Sequence, residues 1–276
     1  MAAAGLAASK LTFGEAGKLT AGEVVERIKK NNGIPWISTG FRDYFHLGGP
    51  DTVVHGIGTS FGGNLDVLQR SLKQGLNMVI VHEPTLYSDA DVVDWVASDP
   101  LYKYKLDWAN KNNVAVWRIH DNWHAHKPDG IQTGWDKAIG WNQYKMDGQG
   151  RRWKLPPTTL SELAKYVAKT LSTRSLRMIG DPNLPVTIVA RGGHPFTANA
   201  EALPDADCIL VSETREYDSF EYVRDTVLLG DKKGAIFMSH QAGEDEGMRY
   251  FAEWSQPFLP EVPVKFVPTG DQFWTV

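Results

Sequence analysis

Three apolar runs in this chain end in residues that bind metal ions well. Asn77-Met-Val-Ile-Val runs into His82-Glu83-Pro84, and Asn113-Val-Ala-Val-Trp-Arg-Ile119 into His120-Asp-Asn-Trp-His124-Ala-His126. The third, Gly234-Ala-Ile-Phe-Met238, runs into Ser239-His240-Gln-Ala-Gly-Glu244. Short apolar runs bounded by turn residues suit strands buried on both faces of a parallel sheet. Ligands of such sheets collect beyond the carboxyl ends of the strands. Residues far apart in sequence can therefore meet at one edge. His120/His124 and His240/Glu244 are spaced i, i+4, which places both members on one face if the chain turns helically after the strand.

His82, His124 and His240 with Glu83 and Glu244 supply imidazoles and carboxylates enough for two divalent ions that share one carboxylate. Such a mixed set suits zinc, iron, manganese or cobalt and not calcium. A single histidine at a strand end is more often a hydrogen-bonded loop residue, so the repetition at three strand ends carries the reading. His120 and Glu213 stand where they would move protons. His194, in Gly-Gly-His-Pro, reads as a turn residue or as support for the ligands. His126 reads as solvent-facing, and His46 and His55 as structural. Trp117, Trp123, Trp135, Trp141 and Trp153 offer either stacking for a ring-shaped substrate or ordinary packing, which is the commoner fate of tryptophan.

The elements that must position these residues alternate. Thr20-Ala-Gly-Glu23 has capping-box spacing and opens a helix over 21–31. A strand over 52–58, a helix over 65–74 and the 77–81 strand make a βαβ unit. Gly56-x-Gly58 with Gly62-Gly63 misses the dinucleotide fingerprint by one position and reads as a strand-to-helix turn. A helix over 100–112 precedes the second apolar run. Residues 130–153 lack a clear period and read as surface helix and loop that wall a pocket. A helix over 159–171, strands over 186–190 and 207–211, a helix over 217–229, a last helix over 245–255 and a strand over 264–267 complete the pattern. The expected architecture is α/β.

Composition bounds the rest. The chain has 276 residues, 42% of them hydrophobic, enough for one elaborated core. A formal charge of −4 without a basic run argues against a nucleic-acid partner. Nothing approaches the ~20 apolar residues of a membrane span. The one cysteine, Cys208, lies inside Cys-Ile-Leu-Val and reads as a buried thiol, so any metal must rest on imidazole and carboxylate. Residues 1–18, beginning MAAAGLAASK, read equally as a secretory leader remnant, which implies export to a periplasmic or extracellular space, or as a frayed terminus of a cytoplasmic protein.

The order and spacing of the ligand motifs resemble the Ngg-one-interacting-factor-three-like family, also called dinuclear-metal-centre hexameric proteins or GTP cyclohydrolase 1 type 2. The resemblance runs from Leu19 to the C-terminus. Where that family has "gad-l-I-i-t-H-H-P", this chain has Gln74-Gly-Leu-Asn-Met-Val-Ile-Val-His-Glu-Pro84. Its strand-H-x-x-x-D is matched by His120-Asp-Asn-Trp-His124, and its G-H-x-x-[ST]-E by Ser239-His240-Gln-Ala-Gly-Glu244. Glu83 replaces the family's second histidine and His124 its aspartate, so the donor count is preserved while charge moves between the ions. The resemblance implies two similar α/β lobes with largely parallel sheets forming one domain over 19–276, and a metal site in the cleft between them. It also implies Glu244 as the bridging ligand and a homo-oligomer, a trimer or a hexamer.

The activity expected is that of a dinuclear metal-dependent hydrolase acting on a small molecule through a metal-activated water. The alternatives are a non-catalytic metal-binding ring, or a lyase or sugar-modifying enzyme that uses the tryptophans for stacking.

Overall fold

Strand β3 (Met78–Glu83) is the centre of the first sheet because both its faces are covered. Met78 and Ile80 join one apolar cluster with Val24 and Ile28 of helix α1 (Ala21–Asn31). Val79 and Val81 join another with Val67 and Leu68 of helix α2 (Leu65–Lys73) and Ala109 of helix α3 (Pro100–Lys111). Alternate side chains facing opposite helix layers explain a strand that is apolar at every position. The computed structural model describes residues 18–40, 42–89, 93–146, 148, 151–212 and 215–274. The expected leader remnant or frayed terminus lies, save for Lys18, outside them.

The first sheet has the order β1-β4-β3-β2-β10. Strands β2 (Ile57–Gly62), β3 and β4 (Ala115–Arg118) run parallel, as does β10 (Val264–Phe266) beside β2, while β1 (Phe45–Leu47) is antiparallel at the edge. The strand expected over 52–58 is displaced. Pairing with β3 begins at Ile57↔Met78 and reaches Gly62↔Glu83, whereas Val53 makes only an isolated bridge to Thr20. Gly58, Thr59, Ser60 and Gly62 hide the strand from an apolar pattern although all of β2 is buried.

The second sheet has the order β5-β7-β8-β9-β6. Its parallel centre is β7 (Pro185–Arg191), β8 (Cys208–Ser212) and β9 (Gly234–Met238). Antiparallel edges β5 (Arg152–Thr159) and β6 (Arg177–Ile179) flank it. Cys208 and Leu210 face helix α6 (Leu160–Thr170), while Ile209 and Val211 face helices α7 (Phe196–Ala202) and α8 (Glu221–Leu228). The helix expected over 217–229 opens as a π-helical turn, Glu216–Phe220, before α8. Each half is thus a three-layered α/β unit.

Two helices join the halves. Residues 130–153, expected at the surface, instead contribute helix α5 (Gly130–Ile139), in which Ile131, Gln132, Gly134, Trp135, Asp136 and Ile139 are buried. It packs on helix α9 (His240–Ser255). A Cβ at Gly134 would lie 2.2 Å from the Glu246 carbonyl oxygen, and one at Gly247 2.6 Å from Ile131 Cα. The two helices touch backbone to backbone there, which only glycine permits. Helix α9 begins at His240, five residues before the expected start, where Ser239 caps it by accepting from the Ala242 amide. It leaves β9 in the second sheet and hands the chain to β10 in the first.

Candidate metal centre

The ends of β3, β4 and β9 meet. His82 is fully buried, and its Nδ1 lies 3.0 Å from the Ile119 carbonyl oxygen. A carbonyl only accepts, so Nδ1 carries the proton and Nε2 presents a lone pair. Past β4 the chain turns into the short helix α4 (Asp121–Ala125), with His120 at its start and His124 in its last turn. The His82 and His120 rings stack at 4.5 Å, and each stands 4.9 Å from the His124 ring. One ligand atom from each of the three lies within 4.8 Å of the others. A second such group is His82, Glu83 and Glu244, which shares His82 with the first.

The imidazoles are aimed by their far nitrogens. His120 Nδ1 is 2.9 Å from Asp121 Oδ1, and His124 Nδ1 is 3.1 Å from Asp129 Oδ2. Carboxylate or carbonyl partners at Nδ1 fix the tautomer and leave Nε2 for a metal. Glu83 is likewise oriented. The buried Arg118 donates from Nη2 to Glu83 Oε2 at 3.0 Å and from Nε to the His82 carbonyl at 2.9 Å. The free carboxylate edge, Oε1, then faces His120 Nε2 at 3.5 Å and His240 Nε2 at 3.6 Å.

Glu244, one helical turn after His240, brings Oε2 to 2.9 Å from His240 Nε2 and 3.3 Å from His82 Nε2. Burial works against its charge, but His240 and His82 hold the carboxyl well below its ordinary range. Burial likewise opposes the charged form of His82, and Glu244 together with Glu83 outweighs it and raises its pKa. Despite these proximities, His82 Nε2 and Glu244 Oε2 are buried without a hydrogen-bond partner. Burial first, then the charges of His82 and His124, push His120 down to about 3.

Of the residues singled out in the sequence, the structure brings together His82, Glu83, His120, His124, His240 and Glu244, and Glu213 lies outside the described residues. His194 lines the same cavity of about 760 Å³, together with Arg42, Arg151, Arg191 and Ser212. His126 does not face solvent. It is 8% exposed, packs 4.9 Å from the Trp123 ring and places Nδ1 2.8 Å from the Pro128 carbonyl. Trp117, Trp123, Trp135, Trp141 and Trp153 are all at most 4% exposed, and none lines the cavity of the candidate ligands. Among the described residues no helix is long and apolar enough to cross a membrane.

The ligand-bearing segments are held by residues from elsewhere in the chain. Asp43 accepts from the backbone amides of His120, Asp121 and Asn122, capping α4 from a distant loop. No local pattern announces it. Arg118 and Arg191 did leave a trace, each being a charge at the end of an otherwise apolar strand. Arg118, Asp89, Arg42 and Asp121 form a chain of ion pairs from Glu83 round to His120.

Comparison with known proteins agrees with this architecture. The sequence model of Duf34/NIF3 (NGG1p interacting factor 3) matches residues 42–270. A Clostridium acetobutylicum protein described as a GTP cyclohydrolase 1 type 2 homolog is 26% identical over 193 residues, 65% of this chain and 69% of that protein. Among solved structures, a Bacillus cereus protein related to NIF3 superposes with a TM-score of 0.72 at 12% identity, over 93% of this chain and 99% of its own. A Staphylococcus aureus hypothetical protein gives 0.66 at 13% identity, over 94% and 99%. At these identities the structures speak for the fold alone.

Proposed function

Because the chain belongs to the Duf34/NIF3 (NGG1p interacting factor 3) family, we propose that its converging histidines and glutamates are a two-metal centre and that the protein is a metal-dependent hydrolase of a small molecule. The observation that carries the reading is the pair of orphaned buried atoms, His82 Nε2 and Glu244 Oε2, 3.3 Å apart. A buried polar atom without a partner costs ~1–3 kcal/mol, and a shared cation would satisfy both at once. The donor set fits zinc, iron, manganese or cobalt. Two such ions would lower the pKa of a water toward neutrality and polarise the bond under attack.

In this reading His82, Glu83, His124, His240 and Glu244 are ligands, with Glu244 between His82 and His240 as the bridge. His120, with its Nε2 3.5 Å from Glu83 Oε1, stands beside them either as a further ligand or as the group that moves protons. Asp121 and Asp129 hold two rings in the ligating tautomer, and Arg118 turns Glu83 so that one oxygen faces inward. A homotrimer or homohexamer is part of the same proposal and is checked by light scattering on the purified protein.

The test is hydrolysis. Metal-restored protein should cleave an ester, amide, phosphoester or cyclic substrate, and His240→Ala should remove both bound metal and turnover while the circular-dichroism spectrum stays unchanged. Turnover that survives in the metal-depleted variant contradicts the mechanism.

A further inference from the structure

We propose that Arg191 and Arg151 form a subsite for an oxyanion, a carboxylate or phosphate group on the substrate, in the same cavity as the candidate ligands. The proposal deepens the hydrolase reading and rests on it for the use made of the subsite.

Arg191 ends β7 and is 7% exposed. Its Nη1 donates to Gln132 Oε1 at 3.0 Å and its Nη2 to the Gly243 carbonyl at 2.7 Å. Both acceptors are neutral, and Nε is buried without a partner. Its face lies 4.7 Å from the Trp135 ring, a partial compensation for a buried cation. Among the described residues no carboxylate stands within ion-pair distance of it. Arg118 shows the contrast: more deeply buried still, it is held by Glu83 and Asp89. Burying a charge is costly unless an opposite charge meets it.

Arg151 lines the same cavity and is 42% exposed at its side chain. Its carboxylate neighbour is Asp129, 3.6 Å away, whose oxygens also serve His124 Nδ1 and the Gln132 amide. Asp129 is thus the carboxylate paired with Arg151, whereas Glu244, Asp129 and Asp136 act on Arg191 only from beyond ion-pair distance. The site is closely packed: a Cβ at Gly243 would lie 2.7 Å from Ser212 Oγ, so only glycine lets the first turn of α9 come this close to the end of β8 beside Arg191. Planar guanidinium forks match carboxylate and phosphate oxygens. A cavity of about 760 Å³ is the size of small-molecule sites. Bound metal would add to the positive charge and strengthen the preference for an anion.

The test titrates the full chain, metal-free and metal-loaded, with inorganic phosphate and separately with acetate by calorimetry. In metal-free protein Arg151→Gln and Arg191→Lys should each weaken phosphate binding at least about tenfold. Arg224→Gln, on the exposed part of α8, should leave it within about twofold. Arg151→Gln alters an exposed side chain and keeps the test decisive if Arg191→Lys does not fold. Acetate binding with the same dependence assigns a carboxylate and phosphate binding alone a phosphate; either supports the subsite. Affinity unchanged in the cavity variants, lost equally in Arg224→Gln, or absent from the metal-free wild type overturns it. Arginine-dependent phosphate binding without any hydrolysis leaves the subsite standing and removes the hydrolase. Equal hydrolysis of neutral and anionic esters does the reverse.

Discussion

His82 Nε2 and Glu244 Oε2 lie 3.3 Å apart although one residue ends a strand of the first sheet and the other rides the helix that leaves the second. Both atoms are buried without hydrogen bonds. The two halves of the molecule thus meet at a buried imidazole and a buried carboxylate that could hold a metal ion together.

Metal should therefore clamp the fold. Stripping the protein with a chelator should lower its thermal midpoint and restoring a transition metal should raise it. The gain is ~2.7 kcal/mol at a free metal concentration 100 times the dissociation constant. Glu244→Ala should abolish the metal-dependent rise measured by differential scanning fluorimetry. A variant that still responds fully would place the metal elsewhere.

The residues behind the imidazoles should tune affinity without touching metal. Asp129→Asn keeps the acceptor for the Gln132 amide but weakens the partner of His124 Nδ1. A loss of ~10–100-fold in metal affinity is expected, read by competition with a chromophoric chelator. An affinity equal to wild type would mean that His124 is not a ligand.

Asp43 caps α4 through three backbone amides. Asp43→Ala should cost ~1–2 kcal/mol in urea unfolding and should also weaken metal binding, because His120 and His124 ride on that helix. Destabilisation with metal affinity intact would show the cap to be structural alone.

Acid should expose the ion-pair chain. Hydrogen bonding to Arg42, which outweighs the effect of burial, together with Arg118 holds the Asp89 carboxyl far below its ordinary value. A carboxyl lowered in the folded state adds stability that is complete above its unfolded pKa of ~3.9 and is lost as pH falls through the folded value. Asp89→Asn should lower the melting temperature at pH 7, and the gap to wild type should close as pH drops below ~4. A gap that stays constant with pH would deny Asp89 this role.

The fold was legible where burial is uniform. Strands β3, β4 and β9 are covered on both faces, so their sequences are unbroken apolar runs, and the ligands follow at their ends. Strand β2 is as deeply buried but built of Gly58, Thr59, Ser60 and Gly62, and its position was misplaced. Strand β5 carries Pro156-Pro157, which interrupt its pairing with β7 between Lys154 and Thr158, as proline does on an edge strand. Helix α5 lies in a stretch rich in Trp, Gly and Asn without a clear period, which reads as surface, yet Gly134 lets α9 pack against its backbone and bury it. Spacing alone brought forward the six residues that converge. Their supports come from elsewhere in the chain, Asp43 lying 77 residues from the His120 amide it holds, and no periodicity encodes that.

The most direct test is an anomalous diffraction map of crystals grown with zinc or manganese. The account predicts two peaks ~3.5–4 Å apart, each within bonding reach of donors from the set His82, Glu83, His120, His124, His240 and Glu244, with Glu244 touching both. A single peak, or peaks remote from His82 Nε2 and Glu244 Oε2 under saturating metal, would contradict it.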